Sequence, residues 1–191
     1  GGATTLRVSF AEVLLTCSKA LEGLGLPHGL YHDTAANAAW LEARGLGGIS
    51  ALASEMERLG DGRDWVMPDI DDDGALATIG MDGASGALLA SGAVDWAVAG
   101  RTVEVLECAA PMLVMAEAAR RSMGGVALTV SWGVDRAKST AKCGGGFAAL
   151  SLDIRTAREP ATVTIRSGKP PPIKDGRRLA GFHAQSLRDG I

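Results

Sequence analysis

Apolar residues recur at helical spacing over the first sixty residues of the chain. Over Phe10–Leu24 they lie three or four residues apart and line one side of a helix. Ser9 and Glu12 have the spacing of a capping box, which predicts where this helix starts. The same periodicity predicts two more helices, at 27–44 and 49–59. The N-terminal third is therefore predicted to be helical.

The pattern changes after residue 60. Residues 60–73 are acidic and rich in turn formers, which predicts a connecting loop. Beyond it, the pattern predicts strands at 75–81, 102–108, 126–132, 147–154 and 162–166, with helices at 87–99 and 111–123. Helices and strands alternate first, and a strand-rich section follows. We therefore predict an α+β fold in which an N-terminal layer of three helices packs on a mixed β-sheet with interleaved helices.

One domain is expected over residues 6–191. It comprises the helical layer 6–60, the sheet part 75–166 and a basic tail 168–191. The chain is 47% hydrophobic but only 4% aromatic, so its core must be built from Ala, Leu, Val and Met. Residues 1–5, GGATT, are expected to be a processing or tag remnant that takes no part in the fold.

Composition narrows the classes of function. The 19 basic and 22 acidic residues give a net charge of -3, which provides no overall drive toward nucleic acid or an anionic membrane. No apolar run approaches the ~20 residues that span a bilayer. The three cysteines are widely spaced and odd in number, which favours reduced thiols in the cytoplasm over a disulfide framework or a zinc site. The sequence identifies no cofactor.

A basic cluster near the C-terminus is the leading candidate for ligand binding. Arg177 and Arg178 are adjacent, and paired guanidinium groups suit a carboxylate or a phosphate. His183 follows them and supplies a group that titrates near neutral pH. The alternative is a solvated C-terminal helix. Nucleic acid is not the predicted ligand, because no aromatic residues interleave with these charges.

A second candidate lies on the predicted second helix. His28 and His32 are four residues apart, which places two imidazoles on one face, and Asp33 is adjacent. Such a pair suits proton transfer or metal binding, but no third ligand is evident in the sequence. The alternative is an exposed first turn. We predict His183, His32 and Asp33 as catalytic residues and Arg177, Arg178 and His28 as ligand-binding residues.

Two loops carry partial motifs. Asp69, Asp71 and Asp73 precede Gly74 as in the first half of a calcium-binding loop, but Gly80 stands where the bidentate Glu belongs. A solvated acidic loop is the alternative. The second loop has three glycines at a spacing that suits phosphate binding at a helix N-terminus, or a plain turn in which Ser85 caps the helix. These glycines are Gly80, Gly83 and Gly86.

Cysteine chemistry has one candidate. Lys142 precedes Cys143, and a run of three glycines follows, so a thiolate with His183 as its base is one interpretation. The alternative is an incidental cysteine in a flexible hairpin or loop. Cys17 lies on the apolar side of the first helix and is predicted to be a core residue.

Several motifs resemble a bacterial family of unknown function, DUF3726. In the first half they are Gly25-Leu26-Pro27 with Gly29, and Ala39-Trp40-Leu41-Glu42-Ala43-Arg44-Gly45-Leu46. In the second half they are Ala109-Ala110-Pro111-Met112-Leu113, Trp132 and Arg178-Leu179-Ala180-Gly181. The chain departs from the family at His32-Asp33, where the family has an acidic pair, and at Phe182, His183 and Gln185 in the closing motif.

A more distant resemblance is to the N-terminal helices of the malate/L-lactate dehydrogenase family. There a capped helix, a Gly-Val/Leu-Pro turn and an Ala-rich helix lead to a catalytic Ser-His-Gly segment. This chain has Gly47-Gly48-Ile49-Ser50-Ala51 in that region, with no histidine. The resemblance implies a helical layout and homodimer packing, and it argues against the dehydrogenase reaction.

The leading functional prediction is a cytoplasmic bacterial protein that binds or converts a small anionic metabolite. It is expected to form a homodimer. Two alternatives stay open. One is a non-catalytic subunit or assembly module of a larger enzyme complex. The other is a relative of NAD(P)-dependent oxidoreductases that has lost its catalytic histidine.

Overall fold

The computed structural model describes residues 7–26, 28–59, 69–80, 85–157 and 160–168, and the backbone of 177–178. Within these ranges the α-helices are α1 Phe10–Gly23, α2 His28–Glu42, α3 Gly48–Leu59, α4 Gly86–Val98 and α5 Pro111–Arg121. The strands are β1 Asp69–Asp72, β2 Leu76–Gly80, β3 Thr102–Cys108, β4 Leu128–Val134, β5 Ala137–Gly144, β6 Phe147–Ser151, β7 Ala161–Ser167 and β8 Arg177–Arg178. Short 3-10 helices span Ser122–Gly124 and Ile154–Ala157.

The strands form one mixed sheet in the order β1-β2-β3-β7-β4-β5-β6-β8. β2 and β3 are parallel and are connected through α4, whereas the other neighbouring strands are antiparallel. Inward positions alternate with outward positions along the strands, as in Leu128, Val130 and Trp132 of β4. The α+β fold with a mixed sheet and interleaved helices is therefore confirmed.

Two helix layers cover one face of the sheet. α4 lies on β3 and β7, and α5 lies on β4, β5 and β6. α2 packs against the other four helices, so the eight consecutive residues from Thr34 to Leu41 are all buried. The predicted N-terminal layer thus reaches the sheet mainly through α4 and α5. Residues of both halves, among them Leu21, Trp40 and Ile165, belong to one hydrophobic core.

Two local predictions are corrected. Residues 69–72 were expected in a loop but form the edge strand β1, in register with β2 from Asp69 opposite Gly80 to Asp72 opposite Ala77. The sequence pattern predicts no strand at residues 137–144, but these residues form β5, which pairs with both β4 and β6. The inward residues of β5 are Ala, Ser and Cys, which are too small and too weakly apolar to produce a strong alternating signal.

The remaining boundaries agree with the predictions to within a few residues. The predicted domain limits at residues 6 and 191 lie outside the described residues. Within the described part of the chain, no helix is both long enough and apolar enough to cross a membrane.

Candidate functional site

The two histidines of α2 are exposed on its first turns. Their rings are nearly parallel, with an interplanar angle of 1° and centroids 6.3 Å apart. The His28 ring also meets Tyr31 edge to face at 5.0 Å. The helical spacing predicted this common face. Among the residues that the structure describes, no group of three or more His, Cys, Asp or Glu side chains is arranged to hold a metal ion.

Asp33 points from α2 toward α4 and α5. Its carboxylate accepts a hydrogen bond of 3.4 Å from Ser91 Oγ on α4. The same carboxylate lies 4.0 Å from Arg120 Nη2 on α5, and the Asp33 carbonyl accepts from Arg120 Nη1 at 3.3 Å. Asp33 is therefore a link between three helices.

Glu117 is the centre of this link and is only 1% exposed. Its carboxylate accepts hydrogen bonds of 3.2 Å from Arg120 Nη1 and from Arg121 Nε. Arg120 Nη1 also donates to Asn37 Oδ1 at 2.7 Å, and Arg121 forms an ion pair with Asp95. We call this set the three-helix cluster: Asp33, Asn37, Ser91, Asp95, Glu117, Arg120 and Arg121.

Burial raises the pKa of Glu117 above its ordinary value of 4.5. The charge of Arg120 and a hydrogen bond with Asn37 act in the opposite direction, and the charge of Asp33 adds to the rise. Both arginines of the three-helix cluster are engaged with its acidic groups. The arrangement therefore holds α2, α4 and α5 together.

The sequence pattern indicates Asp33 but not its partners. Glu117 with Arg120 and Arg121 has the i, i+3 and i, i+4 spacing of helical ion pairs, which is visible in the sequence. That spacing does not show that α2 and α4 supply the other partners, because those contacts span from 26 to 87 residues along the chain.

A second buried polar group joins α3 to the start of α4. Ser85 Oγ accepts a 3.2 Å hydrogen bond from the Ala87 amide and donates one to Glu55 Oε2. Glu55 is also 3.5 Å from Arg58 Nε. The capping role suggested for Ser85 is therefore present. Nearby, burial raises the pKa of Cys108 to about 12, and the charge of Glu55 adds to the rise.

The glycine loop does not present Gly86 to a phosphate. The Gly86 amide donates to the Ala109 carbonyl at 2.7 Å. A Cβ at this position would lie 2.3 Å from the Ala110 carbonyl oxygen, so glycine is required by the close packing of α4 on the residues after β3. Gly80 ends β2, and Gly83 lies outside the described residues.

One aspartate of the predicted calcium loop, Asp73, and its neighbour Asp72 are already engaged. Asp72 accepts a 3.0 Å hydrogen bond from Arg101 Nε, which lowers the pKa of Asp72 together with a bond from the Gly74 amide. Asp73 accepts from the amides of Leu76 and Ala75, which lowers its pKa. These bonds close the β1–β2 turn. Asp73 is thus held by the turn of a hairpin. Calcium binding by Asp69 and Asp71 stays a prediction.

Cys143 is not a reactive thiol in a loop. It lies on β5 facing the core, and burial raises its pKa to about 12. Lys142 is the next residue on the strand and therefore faces the other side of the sheet. The nucleophile interpretation is wrong for this reason. The core prediction for Cys17 is confirmed, since it is 6% exposed.

Arg177 and Arg178 form β8, with Arg177 opposite Leu150 and Arg178 opposite Ala149 of β6. The side chains of both arginines, and the whole of His183, lie outside the described residues. A common site for these residues with His28, His32 and Asp33 stays a prediction.

The Trp40–Arg44 motif, which carries the family resemblance, has a structural role in α2. The Arg44 guanidinium lies 3.7 Å from the centre of the Trp40 ring and donates to the Trp40 carbonyl at 2.9 Å. Burial lowers the pKa of Arg44 to about 10. The Glu42 carboxylate accepts from the Ile49 amide at 3.0 Å and so caps α3.

Residues 8–85 match the family described as "Protein of unknown function (DUF3726)". This range contains the Trp40–Arg44 motif and α1 to β2, so the resemblance is confirmed for the first part of the chain. The motifs at 109–113 and 178–181 lie beyond the match. No curated protein sequence matches the chain.

Three solved structures with a similar fold are dehydrogenases. Malate dehydrogenase from Entamoeba histolytica has a TM-score of 0.61 at 12% identity, over 78% of this chain and 49% of that one. Malate dehydrogenase from Pyrococcus horikoshii has a TM-score of 0.61 at 15% identity, over 82% and 53%. Sulfolactate dehydrogenase from Methanocaldococcus jannaschii has a TM-score of 0.56 at 16% identity, over 77% and 51%.

The chain therefore has a dehydrogenase-like fold, and it spans about half the length of these structures. The distant resemblance inferred from the helical layout is confirmed at the level of fold. Identities this low carry no conclusion about activity.

Proposed function

We propose that this chain is a dehydrogenase-fold protein without hydride-transfer activity of its own, and that it acts as a non-catalytic assembly subunit. The proposal depends on the start of α3, where the segment 47–51 stands in the region of the family's Ser-His-Gly segment. A Cβ on Gly48 would lie 1.9 Å from the Ala38 carbonyl oxygen and 2.8 Å from the Leu41 Cβ. The backbone of α3 thus contacts the backbone of α2 and leaves no volume for a side chain at position 48.

The described ionisable clusters also support a structural role. The three-helix cluster pairs its two arginines with its own acids, and Glu55 is bonded to the cap of α4. These contacts connect helices to one another. Each of the three thiols is buried, so none is placed for nucleophilic chemistry.

Hydride transfer is the reaction to test. The full chain is incubated with NAD or NADP and with malate, lactate or sulfolactate, and the absorbance of the reduced nicotinamide is followed. We expect the rate to equal the protein-free rate with every pair. A rate proportional to protein that is lost in His32→Ala or His183→Ala, and kept in the surface control Lys19→Ala, would refute the proposal and support the predicted catalytic residues.

A second candidate function is the binding of a small anion. Its support is the exposed His28–His32 pair, because the first turn of a helix carries partial positive charge that favours an anion. Arg177, Arg178 and His183 would complete the recognition of a carboxylate or a phosphate.

Thermal unfolding with and without ligand tests this second candidate. Hydroxy acids, dicarboxylic acids and inorganic phosphate are each added to the wild type, Arg178→Ala and His32→Ala. The control is Arg136→Ala, an exposed arginine in the β4–β5 turn. A rise in melting temperature that is kept in Arg136→Ala and lost in the other two variants would support the site. Equal responses in all four proteins would reject it.

A further inference from the structure

The sheet has one face that the described helices do not cover. α4 and α5 pack on the face formed by buried residues such as Val105, Val130 and Val163. The alternate residues of the same strands face the other way and are partly or fully exposed. We call this second surface the open face.

The middle of the open face is rich in hydroxyl groups. Three neighbouring strands place small hydroxyl residues side by side in register: Thr164 lies opposite Ser131, and Ser131 opposite Thr140. Glu104 of the next strand lies opposite Thr164. Small side chains allow a second sheet to approach to the usual ~10 Å separation of stacked sheets. The surface therefore suits a flat partner better than a small ligand, which needs a concave site.

Charge is divided across the open face. The acidic residues Asp71 and Glu104 lie on β1 and β3, whereas the basic residues Arg166, Lys138 and Lys142 lie on β7 and β5. In the described part of the chain, none of these five side chains forms a salt bridge. One half of the surface is thus negative and the other half positive.

A second copy of the chain matches this division. Consider two sheets stacked about a twofold axis that runs parallel to the strands, between β3 and β7. The strand order then places β3 of one copy over β7 of the other, and β1 over β5. Glu104 of each copy faces the strand of Arg166, and Asp71 faces the strand of Lys138 and Lys142. In a twofold interface each contact occurs twice, so the acidic half of each copy meets the basic half of the other.

We propose that the open face is a self-association surface that joins two copies of this chain with opposite charges in contact. This names the partner for the assembly role under the proposed function and rests on it. In sheet order, the six strands β1, β2, β3, β7, β4 and β5 lie side by side. They present roughly 450 Å² per copy at ordinary strand spacing. The resulting area of about 900 Å² is near the lower limit for specific interfaces, so the dimer should be weak and sensitive to salt.

Sedimentation velocity over a concentration series tests the surface with paired charge reversals in the full chain. We expect the wild type to dimerise at low salt and to dissociate at about 0.5 M salt, where charges are screened within a few ångströms. Glu104→Lys and Arg166→Glu should each raise the dissociation constant at least tenfold. An equimolar mixture of the two variants should recover the dimer, because each reversed charge then meets an opposite charge in the partner.

The control variants Glu22→Lys and Lys19→Glu make the same charge changes at exposed positions of α1. They should dimerise like the wild type, and circular dichroism should show that all variants are folded. A wild type that is monomeric at every concentration and salt would overturn the proposal. So would a dimer that neither reversal weakens, or a mixture that fails to recover it. The hydride-transfer assay gives an independent result, so failure of the assembly surface is distinguishable from the presence of catalysis.

Discussion

Ser85 and Glu55 form a buried hydrogen bond that connects α3 to the start of α4. Ser85 Oγ donates to Glu55 Oε2 on α3 while it accepts from the Ala87 amide at the start of α4. Both residues are buried, at 5% and 4% exposure. One hydroxyl thus caps a helix and satisfies a buried carboxylate.

Replacing this hydroxyl should destabilise the fold. Ser85→Ala removes the cap and deprives Glu55 of a donor, which together should cost about 2–4 kcal/mol. Urea unfolding followed by circular dichroism measures the change. Ser9→Ala is the matched control, because Ser9 caps α1 at an exposed position and should cost only about 1 kcal/mol. Equal losses in the two variants would contradict the coupling between Ser85 and Glu55.

Gly48 should tolerate no side chain. In Gly48→Ala the new methyl group would meet the Ala38 carbonyl at 1.9 Å, and we expect a loss of about 2–3 kcal/mol in the free energy of unfolding. Gly92→Ala is the control, because Gly92 lies inside α4 with nothing within 4 Å of its Cβ position. That change should stabilise the protein by about 0.5–1 kcal/mol. An unchanged free energy of unfolding in Gly48→Ala would contradict the close contact between α2 and α3.

Glu117 should make stability depend on pH. Its pKa in the folded protein is raised above the ordinary 4.5, so its ionised form is disfavoured by folding. As the pH falls from neutral toward 4.5, Glu117 should become protonated in the folded protein, which removes the cost of burying its charge. The stability of the wild type relative to Glu117→Gln should therefore increase as the pH falls. Denaturant unfolding of both proteins between pH 7 and about 5 measures this difference. A difference that is constant or decreases with falling pH would contradict the raised pKa.

The three thiols should be unreactive in the folded protein. Cys108 and Cys143 have pKa values raised to about 12, and burial also raises the pKa of Cys17. We expect an aromatic disulfide reagent to label none of them rapidly at pH 8, because both access and thiolate are lacking. All three should react at once in denaturant, which serves as the control. Rapid labelling of one thiol in the native protein would show that its segment opens readily.

Much of the helical layout follows from local pattern. The capping box at Ser9 and Glu12 places the start of α1, since its two hydrogen bonds lie within four residues. Pro111 marks the start of α5 in the same way. β5 was missed because its inward residues are small, and β1 because three aspartates mask a strand that pairing with β2 stabilises.

The sequence by itself determined the helix starts, most of the strands, the α+β class and the core position of Cys17. Each of these depends on residues near one another along the chain. Only the tertiary structure decided the partners of Asp33 and Glu55, the burial of Cys143 and the division of charge on the open face. These depend on contacts across tens of residues and on strand order, and no local spacing encodes the neighbour that a side chain meets after the sheet has formed.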